Sequence, residues 1–456
     1  MCSSYDSLIL QIGRLDKDFE KNIKFKYNGK FEEGPLSSIA LKKIIGNKLK
    51  IILIYPVSLA LNSIFKERND NDFFREMNQI INNDEEKKDY IKNPIDFYKN
   101  HPHSKLVNSF FCIHSIGTYE NTKFEASVQD IALFIFAKLI EEYAKSNFSY
   151  KKIFVDVSSG LNIYVTALLE ALRYFQTWEK LFNLSNSSLE CFVVYTDPII
   201  GRKKDEENIE YNIYEYKTDV KAFFSSPISY DDFNKGLSKR VVEESLKASR
   251  KTKDDLNKYL ENYLILYSAF VNAAPLILYN VDYISLNDIE KFINGLIEII
   301  IKKFEEDFTK SPNFNFTDLI KVILSLAFFR GLLNLINENE ISKKTICIED
   351  ILNKTTHLYE KLNLSIQSGL IKYEIHNTFK NNRSLTINEN EGFKKLSECL
   401  PYDINDSLNA RNFFAHAGFE RTVTLIKKED NLIYLKYDEN KIEKIKEILK
   451  KHIIGA

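Results

Sequence analysis

The spacing of apolar and polar positions changes character part-way along the 456-residue chain. In the first half, Ser7–Gly13 (SLILQIG) and Leu49–Tyr55 (LKIILIY) are short, nearly continuous apolar runs bounded by turn residues. Such runs predict buried parallel strands. A weaker run, VNSFFCIHSI within Lys105–Ile116, is a third candidate. Val128–Tyr143 places apolar residues at three and four spacing and predicts a helix. Strand Lys152–Val157, helix Leu161–Phe182 and strand Leu189–Tyr195 follow. This βαβαβ order predicts a Rossmann-like doubly wound sheet. The polar stretch Glu67–Asn100 predicts charged surface helices inserted between the early strands. Asn208–Lys217 (NIEYNIYEYK) alternates cleanly and predicts an edge strand or hairpin.

After about Ser226 the period becomes helical. Ser229–Asn280, Leu286–Phe308, Phe316–Asn337 and Glu349–Lys380 read as helices, with breaks such as TKSPNFN at Thr309–Asn315. Thr422–Tyr437 predicts a hairpin turning at Lys428–Asn431, and Asn440–His452 a final charged helix. The fold class is therefore α/β followed by a mostly helical region with a small β-hairpin.

Charge narrows the partners. Lys plus Arg (63) nearly cancels Asp plus Glu (64), so no global field draws the chain to nucleic acid or membrane, and any RNA contact must be local. The five cysteines (Cys2, Cys112, Cys191, Cys347, Cys399) are scattered without a CxxC pair, which predicts reduced cytoplasmic thiols rather than disulfides or zinc. The N-terminus lacks the basic and apolar regions of a signal peptide. Asn262–Val281 carries no charge over twenty residues, but Asn272, Pro275 and Asn280 favour a buried or subunit-facing helix broken near Pro275 over a membrane span.

Two segments carry candidate chemistry. Arg411-Asn412-Phe413-Phe414-Ala415-His416-Ala417 sets a cation and a titratable base five residues apart in an apolar stretch. An arginine can grip a phosphate bidentately, and a histidine can pass a proton near neutrality, so together they can cut RNA without a metal. The same spacing also suits a helix that merely carries Arg and His beside a Phe-Phe core pair. The second segment, Asp156-Val157-Ser158-Ser159-Gly160-Leu161-Asn162, closes a central strand where doubly wound sheets bind ligands. Its hydroxyls, glycine and helix start suit a nucleotide phosphate; a serine helix cap without ligand explains the loop equally well. It lacks GxGxxG, and the chain has no Walker A motif. His101 and His103 (HPH) have no further ligands at metal spacing and read as a solvated loop. Arg421–Ala456 has nine Lys or Arg against six acids, which suits an RNA groove or a charged surface helix.

In this order, the two segments resemble the CRISPR-associated CARF-HEPN ribonucleases of type III systems. DVSSGLN resembles the CARF ligand loop, and Arg411 to His416 matches the Arg-x4-His motif of HEPN ribonucleases. His114-Ser115-Ile116-Gly117-Thr118-Tyr119 and Tyr195-Thr196-Asp197-Pro198 also resemble CARF segments. Ser159 stands where relatives often have His, and the first strand ends in Gly13-Arg14-Leu15. The resemblance implies a CARF ligand-sensing domain over 1–225, a helical connecting domain over 226–344 and a HEPN ribonuclease domain over 345–456. It implies a homodimer or higher oligomer, cytoplasmic and without a membrane partner. A cyclic oligoadenylate, in the first instance cyclic tetra-adenylate, would be held across a twofold axis by Ser158, Ser159, Gly160, Asn162, Gly13, Arg14 and Gly117. Single-stranded RNA would be the substrate and no metal would be required.

Within that reading, Arg411, Asn412 and His416 are the catalytic residues. If all lay on one helix, Arg411 and His416 would point roughly 140° apart and stand about 7.5 Å apart along the axis, so a twofold pairing would be needed to complete the site. His416 would serve the 2′-hydroxyl or the leaving 5′-oxygen, giving a 2′,3′-cyclic phosphate, while Arg411 stabilises the phosphorane and Asn412 orients phosphate or imidazole. Gly418 suggests a helix end suited to an acid role. Two other functions stay open: a ligand-sensing transcription regulator, and a ring nuclease that degrades the messenger.

Overall fold

The structure, a computed structural model, describes residues 5–15, 22–67, 72–185, 188–197, 210–221, 224–280, 284–341, 345–389, 391–400 and 408–453. By contact the chain divides into two compact units. Met1–Thr177, Ser188–Lys221 and Asn294–Phe316 form the first; Trp178–Ser187, Ala222–Ile293 and Thr317–Ala456 form the second. The stretch 226–344 is thus shared between them.

The first unit is built on strands β1 (Ser7–Ile12), β2 (Ile23–Tyr27), β3 (Lys30–Gly34), β4 (Leu49–Pro56) and β5 (Ser109–Ile113). A separate hairpin, β6 (Ile116–Tyr119) and β7 (Thr122–Glu125), precedes β8 (Lys152–Asp156), β9 (Glu190–Thr196) and β10 (Glu210–Thr218). The eight-stranded sheet has the order β3-β2-β10-β9-β8-β1-β4-β5. β9, β8, β1, β4 and β5 are parallel neighbours, and the Ile- and Leu-rich runs of the central β1 and β4 are buried on both sheet faces. From β1 the chain winds one way to β4 and β5, and from β8 the other way to β9. The crevice at the ends of β1 and β8 is the switch point of the fold.

Several expectations need correction here. β10 is not an edge: it lies between β9, antiparallel, and β2, parallel. Residues 208 and 209 of the predicted strand lie outside the described residues, as do Pro198 and Val281. The β2–β3 hairpin turns at Asn28-Gly29, both with positive φ (49° and 79°). That dipeptide is a strong hairpin signal, and it was available in the sequence. The polar stretch before β5 does form helices (Asp72–Asn82, Asp84–Lys92, Pro94–Asn100), but they bury Phe73, Phe74, Met77, Tyr90 and Tyr98. The HPH segment is not solvated. His101 and His103 are buried, with His101 packed among Tyr55, Tyr98 and Phe73 and its Nε2 3.2 Å from the Arg14 carbonyl. Aromatic neighbours from distant elements, invisible to local spacing, enclose it.

In the second unit, the long helix expected over Ser229–Asn280 is broken. Tyr230–Asn234 ends before Gly236 (φ 76°), a wide-turned segment ends at Ser245, and the main helix is Arg250–Val271. Ala273 (φ 54°) and Pro275 close it, and Pro275–Tyr279 is a buried 3-10 turn, so the uncharged stretch is a broken buried element. Phe316–Glu338 is long and apolar enough to cross a bilayer, yet most of it is buried within the protein. The helix expected over Glu349–Lys380 breaks at Leu362–Leu364, where Asn363 has φ 59°, before helix α1 (Ser365–Ile375). The hairpin β13 (Thr424–Glu429) and β14 (Leu432–Tyr437) is extended by β11 (Ile346–Cys347) and β12 (Lys394–Lys395) into a four-stranded sheet. Helix Ile442–Lys451 follows.

Candidate functional site

The Arg-x4-His segment folds as a six-residue helix, α2 (Ala410–Ala415), with His416 as its C-cap. Asn409 starts the helix, its Oδ1 accepting from the Arg411 N–H at 2.8 Å. Phe413 is wholly buried against Tyr437, which leaves Arg411 and Asn412 exposed. The expected helical relation of Arg411 to His416 does not hold to its last residue, because His416 has left helical backbone (φ −106°, ψ 29°). The turn closes by two bonds: the Ala417 N–H donates to the Phe414 carbonyl at 3.2 Å, and the Gly418 N–H to the Phe413 carbonyl at 2.8 Å. This is a Schellman turn whose left-handed residue is Ala417 (φ 49°), followed by Gly418 (φ 75°).

Sequence reasoning missed His416's partner. Nδ1 of His416 lies 3.2 Å from Oε2 of Glu374 on α1, with the His side chain 41% exposed and the Glu side chain 10% exposed. Thr378 Oγ1 donates to the same oxygen at 3.4 Å. A carboxylate at Nδ1 leaves Nε2 as the acid–base atom on the open side of the ring. The Arg411 guanidinium has no ion-pair partner among the described residues and is available to an anion. No spacing rule links positions 374 and 416; the only local signal was a glutamate on the apolar face of α1.

In the first unit, the DVSSGLN loop runs from the end of β8 into helix Asn162–Phe182. Gly160 has φ 72°, a conformation that favours glycine. Asn162 is the exposed first helical residue. The Oγ atoms of Ser158 and Ser159 are buried and have no hydrogen-bond partner among the described residues. Asp156 is fully buried at the switch point, opposite Gln11 of β1. It accepts from Ser37 Oγ and, at 2.9 Å, from the Ser158 N–H; burial raises its carboxyl, and these bonds partly oppose the rise. Gln11 in turn donates to Ser37 at 3.0 Å and accepts from Ser38 Oγ. Gln11, Arg14, Ser37, Ser158 and Thr196 line one water-sized recess of about 20 Å³. Gly13 passes so close to Tyr55 that a Cβ there would lie 2.2 Å from its ring.

Gly117 (φ 105°) sits apart from that recess, on β6. Its neighbours Thr118, Tyr119 and Glu120, with Ser58, Asn62, Leu161 and Tyr164, line a cavity of about 400 Å³ beside the DVSSGLN loop. The Asn62 side chain accepts from the Ile64 N–H, and Glu120 pairs with Lys66 at 2.7 Å. Among the described residues no group of three or more His, Cys, Asp or Glu is placed to hold a metal.

Comparison with known proteins accounts for both halves. Residues 8–198 match the family model of the CARF domain of CRISPR system endoribonuclease Csx1, and residues 364–441 match the model of its HEPN domain. The second match contains Glu374, Arg411 and His416. CRISPR system endoribonuclease Csx1 of Methanocaldococcus jannaschii is 25% identical over 341 residues, covering 68% of this chain and 67% of that protein. The architecture is therefore an N-terminal CARF domain with a mixed sheet, a helical middle and a C-terminal HEPN domain.

Proposed function

The chain belongs to the CRISPR-associated CARF-HEPN endoribonucleases, and we propose that it is a cytoplasmic, metal-independent ribonuclease switched on by a cyclic oligoadenylate, cyclic tetra-adenylate in the first instance. The observation that carries the chemistry is the His416–Glu374 contact, together with an exposed Arg411 that has no ion-pair partner among the described residues. A base at His416 Nε2 takes the 2′-hydroxyl proton, the 2′-oxygen attacks phosphorus, and the 5′-oxygen leaves with a proton, giving 2′,3′-cyclic phosphate and 5′-hydroxyl ends. Arg411 meets the charge that develops on the non-bridging oxygens. One imidazole cannot be base and acid in the same step. A twofold pair of chains supplies two, which makes the site dependent on dimer geometry and open to switching.

The ligand reading rests on the switch-point loop. Two buried serine hydroxyls without a hydrogen-bond partner within bonding geometry among the described residues, a left-handed glycine and a helix start suit a phosphate. The adjoining cavity has the size and mixed lining of a nucleobase site, with Tyr119 and Tyr164 as apolar surface and Asn62 and Glu120 as polar groups.

The test is to incubate the protein in EDTA with labelled single-stranded RNA, with and without cyclic tetra-adenylate, beside His416→Ala. Activator-dependent cutting that vanishes in the variant supports both halves. Activator binding without RNA cutting overturns the nuclease half in favour of a regulator, and loss of the activator itself points to a ring nuclease.

A further inference from the structure

Glu374 is an unusual residue for its place. It lies on the inner face of α1 with Ser368, Ile371 and Ile375, all buried. Burying a carboxylate costs several kcal/mol unless a charge or several donors meet it. Among the described residues no lysine or arginine pairs with it; its side-chain contacts are His416 Nδ1 and Thr378 Oγ1. A neighbouring acid, Glu360, is served differently: its exposed carboxylate takes Lys372 at 2.6 Å and Ser368 at 3.0 Å. A leucine or glutamine at 374 would satisfy the packing at lower cost.

We infer that Glu374 is a positioning residue for His416: it accepts the Nδ1 proton, fixes the imidazole in the Nδ1–H tautomer and aims Nε2 at the RNA. This rests on the ribonuclease reading and adds to it a residue outside the Arg-x4-His motif. The need follows from the backbone. His416 stands at a helix C-cap, outside helical backbone, and is followed by a left-handed alanine, and α2 is only six residues long. A tether from a second helix supplies the orientation that α2 cannot. During the reaction Nε2 accepts the 2′-hydroxyl proton, and the resulting imidazolium is held by two groups on opposite sides, the Glu374 carboxylate and the substrate. Glu374 exchanges no proton with RNA and touches no reacting atom. Its effect is on orientation and tautomer, as for a carboxylate behind a catalytic histidine generally.

The experiment compares wild type, Glu374→Gln and Glu374→Asp in the full chain, by activator-saturated cleavage kinetics and by long-range proton–nitrogen NMR of the histidine rings. The His416 signal is assigned by its loss in His416→Ala. Glutamine keeps the shape and an acceptor but not the charge; aspartate keeps the charge at shorter reach. The expected result is a kcat at least about 10-fold lower in Glu374→Gln with KM within about twofold, and a His416 ring that loses its fixed Nδ1–H signature. Glu374→Asp should recover part of kcat. Wild-type kcat in Glu374→Gln, or an unchanged His416 signature, overturns the inference. If Glu374→Gln does not fold, Glu374→Asp decides alone: it must lower kcat and disturb the His416 signature, and wild-type values for both overturn the idea. A wild-type protein that binds activator yet cuts no RNA defeats the ribonuclease reading, while the NMR result still decides whether Glu374 holds His416.

Discussion

Tyr437 and Gly418 lock together the turn that carries His416. The Tyr437 hydroxyl, buried at the end of β14, donates to the Gly418 carbonyl at 3.0 Å, and a Cβ added at Gly418 would lie 2.9 Å from the same hydroxyl. Its other face meets Ala274, whose Cα would be 3.0 Å from that Cβ. The loop that carries His416 is thereby clamped by a hairpin strand on one side and the turn before Pro275 on the other.

Gly418→Ala is therefore expected to cost about 2–3 kcal/mol, combining a left-handed alanine with the two close contacts. Urea unfolding measures the loss. Cleavage should fall as well, since the backbone shift moves His416; stability within about 0.5 kcal/mol of wild type would contradict the clamp.

Arg411 is exposed and makes no ion pair among the described residues. Arg411→Ala should keep the wild-type melting temperature within a few degrees and lower cleavage about 100- to 1000-fold, the usual effect of removing a group that meets transition-state charge. Arg411→Lys should not restore the rate, because a lysine offers a point charge in place of a bidentate fork. Full rescue by lysine would argue for simple charge attraction.

Acid should weaken the first unit through His114. Its ring is packed among Phe134, Phe304 and Phe308, and burial holds it down to about 4, although a bond from Nε2 to the Asp307 carbonyl at 3.0 Å opposes the shift. The unfolded chain, titrating near the ordinary histidine value, then binds more protons between the two values. The stability that His114 contributes is present above about pH 6.5 and is lost as pH falls toward 4, by about 3 kcal/mol in all. Comparing wild type with His114→Gln by denaturant titration at pH 7.5, 5.5 and 4.5 should show a shallower acid decline in the variant. Parallel curves would mean that His114 is not the source.

The cavity beside the DVSSGLN loop gives a binding test. Tyr119→Ala and Asn62→Ala should each raise the concentration of cyclic tetra-adenylate needed for half-maximal binding by about 10-fold, the scale of one lost stacking or hydrogen-bonding contact to a base. Calorimetric titration of the activator measures this directly. Unchanged affinity in both would place the bases elsewhere.

Local pattern alone determined a good part of this protein. Unbroken Ile and Leu runs gave β1 and β4, three-and-four spacing gave the helix over Val128–Lys145, and the strand–helix order gave the doubly wound sheet. Asn28-Gly29 encoded a hairpin as well, although a five-residue strand of alternating lysines and aromatics is weak by periodicity. The order of DVSSGLN and Arg-x4-His was enough to identify the family. Tertiary structure alone decided the rest. β10 alternates like an edge strand, but its position depends on β2, 186 residues away in sequence, pairing with it. His101 and His103 look polar in sequence and are buried because aromatic residues from several elements close over them. Glu374 and His416 are 42 residues apart, and no period connects them. Periodicity records which face of one element is buried; which distant side chain waits on that face is fixed only when the elements pack.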